Sequence, residues 1–383
     1  MGYAMALPRR VFAGEGAISQ LKCIVEGRFF RAALFTDRGV AASGALEIPV
    51  KLLTDAGLRV DILDGLAIEP SCDQAQQIVD RFRALGADVI VAVGGGSVMD
   101  VAKLACLDMG EGRGVRDLLE SPQSAVKRFP TVMIPTTAGT GSEATPNSIV
   151  SVPERQVKIG IVNPQMLPDW VILDGAMTRN LPEAVAAATG MDALCHAVEC
   201  FTSLKANSFS DLFAMEAIRL ILPNLEKACL DKDAMAEKNA MLLAAFYGGA
   251  AIAASGTTAV HALSYPLGGR YHIPHGIANA TLLLPVLRFN RGAILPQLAA
   301  VCRAVTPRPP EGEGAQADRA LTEIEYLMKK LPLKLDFAAY GVGAGDIDLL
   351  VEEGMKQQRL LGNNRRPVSP EDARAIYREV IGA

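Results

Sequence analysis

The run VIVAVGGGSVMDVAK, Val89–Lys103, decides how the first half of the chain is read. Val89–Val93 is continuously apolar and β-branched, as a strand covered on both faces of a parallel sheet must be. Gly94, Gly95 and Gly96 then turn the chain into a helical pattern. With no side chain in the way, backbone N–H groups at such a helix start can approach a pyrophosphate closely, and the helix dipole favours its charge. The stricter GxGxxG spacing is absent. IPTTAGTGSEAT, Ile134–Thr145, repeats the theme: Gly139 and Gly141 lie among the hydroxyls of Thr136, Thr137, Thr140 and Ser142. Two such turns at strand ends point to a dinucleotide site.

Working outward, RAALFTD, RVDILD and TVMIPTT are further strand candidates, and CDQAQQIVDRFRALG has Ile78, Val79, Phe82 and Leu85 at helical spacing before Gly86. Strands alternating with helices predict a parallel sheet covered by helices. Asp37 closes the first of these strands, where an acid accepts bonds from ribose hydroxyls and repels a 2′-phosphate, so NAD is expected over NADP. Arg38 beside it works the other way. From about Leu181 the texture changes to long Ala-rich helices without strands. The expected division is an α/β dinucleotide-binding domain over 1–180 and an all-helical metal-binding domain over 181–383. TPRPPEGEGAQ, 306–316, reads as an exposed loop, and Ser369-Pro370-Glu371-Asp372 as a capped helix start.

A chain of 383 residues exceeds what one core usually organises, so two domains sharing a cleft is the default. A formal charge of −4 carries no polyanion-binding signature and makes nucleic acid an unexpected partner. The seven cysteines are scattered, without a CxxC, and read as buried thiols of a reducing cytoplasm. The N-terminal MGYAMALPRR meets Pro8 and two arginines before any apolar run, so export is not indicated. Between Lys238 and Arg270 no charged residue occurs, but the Ala-, Gly-, Ser- and Thr-rich content suits a buried helix better than a membrane span.

All four histidines fall between Gly190 and Asn279. In GMDALCHAVE, Asp192 and His196 are four apart and share one helix face. His261, His272 and His275 follow in VHALSYPLGGRYHIPHG. One carboxylate with two or three imidazoles suits a first-row divalent ion such as Fe²⁺ or Zn²⁺, with a coordination position left for substrate.

GMDALCHAVE and HALSYPLGGRYHIPHGIANA, preceded by GGGSVMDVAK and PTTAGTGSEAT, resemble the iron-containing (group III) alcohol dehydrogenase family, related to glycerol dehydrogenase and dehydroquinate synthase. The four motifs occur in family order over almost the whole chain. The resemblance implies a dehydroquinate synthase-like fold: a Rossmann-like α/β domain followed by an all-α domain. It implies Asp192, His196, His261 and His275 as ligands of Fe²⁺ or Zn²⁺, leaving His272 outside the set. It implies NAD(P) held by Gly94, Gly95, Gly96, Ser97, Asp100, Thr136, Thr137, Thr140 and Ser142, with Lys158 a weaker contact, and a homodimer or larger assembly.

The expected reaction is alcohol plus NAD⁺ to aldehyde or ketone plus NADH, with the metal polarising the substrate oxygen in the cleft. Four residues after His261, where many family members carry another histidine, stands Tyr265. A proton relay there needs a different pKa, or His272 must take it over. The competing readings are a lyase or cyclase of the dehydroquinate synthase type that returns its NAD, a reductase whose substrate carboxylate pairs with Arg270, and a non-catalytic metal- or nucleotide-binding protein.

Overall fold

The four runs expected to form strands do so: three carry aliphatic side chains on both faces, as the covered interior of a parallel sheet requires, and Arg59–Leu63 is a partly exposed edge strand. The structure is a computed structural model describing residues 3–155 and 157–382. In it these strands are Arg31–Phe35, Arg59–Leu63, Val89–Gly94 and Thr131–Pro135. Two short strands, Arg10–Ala13 and Trp170–Leu173, join them without having been legible, since four residues are too few to show a period. The sheet runs Arg10–Ala13, Trp170–Leu173, Thr131–Pro135, Val89–Gly94, Arg31–Phe35, Arg59–Leu63, with every neighbouring pair parallel. Phe35 pairs with Ala92 and Gly94 with Pro135. The chain therefore leaves three adjacent strands side by side at their C-terminal ends, the edge where open α/β sheets bind nucleotides.

The helix Cys72–Leu85 begins with a capping box between Ser71 and Gln74 and stops at Gly86, whose φ of 65° suits glycine. An antiparallel hairpin, Asn147–Val152 with Val157–Val162, also escaped the sequence reading. Its burial alternates along Asn147–Val152, so its apolar content is diluted by polar residues.

Beyond Leu173 no strand occurs among the described residues, and the helices Glu183–Thr202, Ser208–Leu230, Met235–Ala254, Ala259–Tyr271 and His275–Asn290 lead the helical region. The chain forms two compact units, Ala6–Pro182 with Asp231–Gly249, and Glu183–Leu230 with Ala250–Ala383 and a short N-terminal piece. Asp231–Gly249 belongs with the sheet for steric and polar reasons. A Cβ on Gly141 would lie 2.4 Å from the Ala245 carbonyl oxygen, so backbone meets backbone there. The Gly175 N–H donates to the Asn239 side chain at 2.7 Å.

Two expectations are corrected. The exposed segment 306–316 is a loop only to Gly312, because Glu313–Lys330 is helical. Cys23 is exposed on the short helix Gln20–Val25, whereas the other six cysteines are buried. The last helix, Pro370–Ile381, starts at the Ser369 cap, and its buried Tyr377 hydroxyl donates to the Leu263 carbonyl at 2.7 Å, two residues from His261. No single helix is long and apolar enough to cross a membrane among the described residues.

Candidate metal centre and dinucleotide turns

The helix Glu183–Thr202 carries Asp192 and His196 on one buried face, 3% and 6% exposed. His261 lies in the first turn of Ala259–Tyr271, and His275 opens His275–Asn290 directly after Pro274. Gly276 fixes this last approach: a Cβ there would lie 2.2 Å from the Ala188 carbonyl oxygen. Any other residue would push the start of that helix, and His275 with it, away from Asp192.

The Nε2 atoms of His196, His261 and His275 stand 3.8, 3.7 and 3.8 Å from Asp192 Oδ1, and the four donor atoms lie within 4.8 Å of one another. Donors about 2.1 Å from one ion are spaced roughly 3.4–4.2 Å apart, so the three separations from Asp192 match a single divalent cation. The resemblance implied these four residues, and the fold brings all four together. Burial opposes charge on Asp192, yet His196, His275, His261 and the Asn279 amide hold its carboxyl down to about 2. Around the cluster are two residues the sequence reading missed. Glu199 meets His261 Nδ1 and accepts from Thr258. Burial opposes its charge as well, but His261 and Thr258 keep its carboxyl below the ordinary range. Asn279, four residues after His275, donates to Asp192 Oδ1 at 2.7 Å.

Tyr265 stands one turn beyond His261, its ring centroid 6.1 Å from that of His275. Burial pushes its phenol above the ordinary value, Arg359 opposing and Glu199 and Asp192 reinforcing. His272 caps the C-terminus of Ala259–Tyr271 in the left-handed region, φ 53°, with an exposed side chain outside the four-donor cluster. Arg270 is exposed in the last turn of the same helix.

On the sheet, Gly95 precedes the helix Gly96–Ala105 with φ −83°, so its backbone is not left-handed. Its role is space: a Cβ on Gly95 would stand 3.3 Å from Thr137 Oγ1, and one on Gly96 2.8 Å from Thr140 Oγ1. The two glycine-rich turns thus lie against each other. Thr136 is buried at the end of its strand, and Ser97 Oγ accepts from the Glu69 N–H at 3.0 Å. Asp37 caps the short helix Arg38–Ala42 through Val40 N–H, leaving its second carboxylate oxygen outside that bond. Lys158 pairs with Glu69 at 2.6 Å. Asp100 and Ser142 bond each other and the buried Lys103, and Asp100 Oδ2 accepts from Ile149 N–H at 2.8 Å. Asp100, through Ile149, and Lys103, through the Asn147 carbonyl, tie the helix Gly96–Ala105 to the hairpin.

Residues 8–175 match the family model described as iron-containing alcohol dehydrogenase, and residues 186–381 match that of the family's C-terminal region. The chain belongs to the iron-containing alcohol dehydrogenase family. Long-chain-alcohol dehydrogenase 1 of Geobacillus thermodenitrificans is 32% identical over 97% of this chain and 96% of its own. A crystal structure of 1,3-propanediol oxidoreductase superposes with a TM-score of 0.92 at 32% identity, covering 99% of this chain and 100% of that one. Sulfoacetaldehyde reductase of Bifidobacterium kashiwanohense, solved in complex with NAD⁺, gives 0.87 at 26% identity, covering 100% of both chains. As an iron-containing alcohol dehydrogenase, this chain is an oxidoreductase that interconverts an alcohol and its carbonyl product. None of these three relatives is named as a lyase, and the cyclase reading has nothing to support it.

Proposed function

We propose that this enzyme transfers hydride between an alcohol carbon and NAD⁺, with Fe²⁺, or Zn²⁺ in its place, held by Asp192, His196, His261 and His275. The observation carrying the metal assignment is the convergence of one carboxylate oxygen and three imidazole nitrogens within 4.8 Å. A divalent ion bound there supplies Lewis-acid polarisation of a substrate oxygen. The chain's own residues do the rest. Asp192 stays ionised and offsets the ion's charge, and Asn279 orients the carboxylate. The turns at Gly94–Ser97 and Thr136–Thr140 offer backbone N–H groups and hydroxyls to the pyrophosphate, and the remaining carboxylate oxygen of Asp37 accepts from the adenosine ribose. The NAD⁺ complex of the sulfoacetaldehyde reductase supports this choice of cofactor. The reading extends to a cytoplasmic enzyme working as a homodimer or larger assembly, which light scattering after gel filtration measures.

The deciding experiment loads the protein with Fe²⁺, Zn²⁺ or Mn²⁺ and assays a panel of alcohols and aldehydes with NAD(H) and NADP(H). Net formation of NADH from an alcohol supports the reading. A clear preference for NADPH in kcat/KM would overturn the role given to Asp37, and no turnover of either cofactor would overturn the reaction.

A further inference from the structure

Glu199 is 1% exposed, and its two oxygens are used differently. Oε1 accepts from the Thr258 N–H at 2.9 Å, the Thr258 hydroxyl at 2.8 Å and the Val260 N–H at 2.9 Å. Thr258 is the N-cap residue of Ala259–Tyr271 but its own side chain makes no capping bond. The carboxylate of a neighbouring helix therefore caps this one, with negative charge at the positive end of its dipole. Oε2 meets His261 Nδ1.

A carboxylate has no proton to give, so Nδ1 must be the donor in that contact. In a neutral imidazole this leaves the lone pair on Nε2. Nε2 is the atom that stands 3.7 Å from Asp192 Oδ1, inside the donor cluster. We propose that Glu199 is a positioning residue that holds His261 as the Nδ1–H tautomer, so that Nε2 is ready to bind the metal, while its other oxygen anchors the helix that carries His261. Asp192, His196 and Glu199 follow at i, i+4 and i+7 along one helix stripe. One helix thus supplies two ligands and the group that orients a third.

A carboxylate is needed here, and an amide of the same shape does not replace it. In Glu199→Gln the carbonyl oxygen can still accept from Thr258 and Val260, but the amide NH₂ faces Nδ1 and demands a lone pair there. The ring proton then moves to Nε2 and points at the ion site. This separates capping from positioning, because the amide keeps the first and reverses the second.

The inference rests on the metal reading above, and the test keeps the two apart. Full-length wild type, Glu199→Gln and Thr258→Val are stripped with chelator and titrated with Zn²⁺ against a chromophoric competitor. The imidazole nitrogens, in a chain with only four histidines, are followed by ¹⁵N NMR before metal is added. Glu199→Gln is expected to bind Zn²⁺ about 10–100-fold more weakly, the usual effect of losing a group that orients a ligand. Its His261 should show the Nε2–H tautomer, with a thermal midpoint near wild type. Thr258→Val should lower the midpoint and leave zinc affinity unchanged. Wild-type zinc affinity in Glu199→Gln, or an Nε2–H His261 in wild type, would overturn the proposal. If Glu199→Gln does not fold, the wild-type tautomer decides alone. A wild type that binds no divalent ion overturns the metal reading, and the tautomer still decides the role of Glu199.

Discussion

Two histidines separated by eleven residues differ in what the fold makes of them. His261 is buried among the other donors, whereas His272 caps a helix end with its side chain exposed. His261→Ala should remove bound metal and turnover together, and His272→Ala should keep stoichiometric metal by elemental analysis. Full metal content in the His261 variant would break the ligand assignment. The proton is a separate matter. Oxidising an alcohol needs an acceptor for the hydroxyl proton, and a tyrosine already near 10 is poorly placed for it at neutral pH. Burial moves Tyr265 further from neutrality. We therefore expect Tyr265→Phe to change kcat little and His272→Ala to lower it by roughly 10²-fold, the scale of general-base loss. Matching pH–rate profiles and kcat in wild type and His272→Ala would assign the proton to water.

At the scale of elements, glycines that look alike in sequence have different work. Gly95 has an ordinary φ of −83° and faces Thr137, a side chain that can shift. Gly141 has φ 59° and would drive a Cβ into the backbone of Ala245 and Gly249. Gly95→Val should weaken NADH binding, measured by fluorescence titration, with metal content and thermal midpoint little changed. Gly141→Ala should lower the midpoint, since neither its dihedral nor its neighbours accommodate a side chain. Unchanged NADH affinity in Gly95→Val would make that turn structural only. The same contrast explains what could be read beforehand. Val89–Val93 announced a buried strand because a short, β-branched apolar run ending in three glycines suits a covered parallel strand, and the α/β half followed from it. Arg10–Ala13 and Trp170–Leu173 were too short to announce anything. The candidate metal region was legible because histidine is scarce here, but the resemblance to the family, not scarcity, separated His275 from His272. Glu199 and Asn279 were not, because glutamate and asparagine are common on helix surfaces. The signal for Glu199 was its place seven residues after Asp192, on the face that was already to be buried.

The stability of the whole chain should carry the mark of one buried carboxyl far in sequence from the histidines. Glu143 follows the Gly141 turn, is 2% exposed, and its Oε1 has no hydrogen-bond partner among the described residues. Burial pushes its carboxyl up to about 7, against its own backbone hydrogen bond and the Lys103 charge, which pull down. An unfolded glutamate titrates near 4.3, so between about 4.3 and 7 the folded chain keeps a proton that the unfolded chain has released. Stability from this group then falls as pH rises through that window and levels off above it. Asp192 acts with the opposite sign. Its folded value of about 2 lies below that of an unfolded aspartate. Its contribution is present above about 3.9 and lost as pH falls toward 2. In metal-free protein, Glu143→Gln should therefore flatten the decline in urea midpoint between about pH 4.5 and 7 and leave the acid limb unchanged. Parallel slopes for the two proteins across that window would mean that Glu143 is already ionised in the folded chain, with Lys103 outweighing its burial.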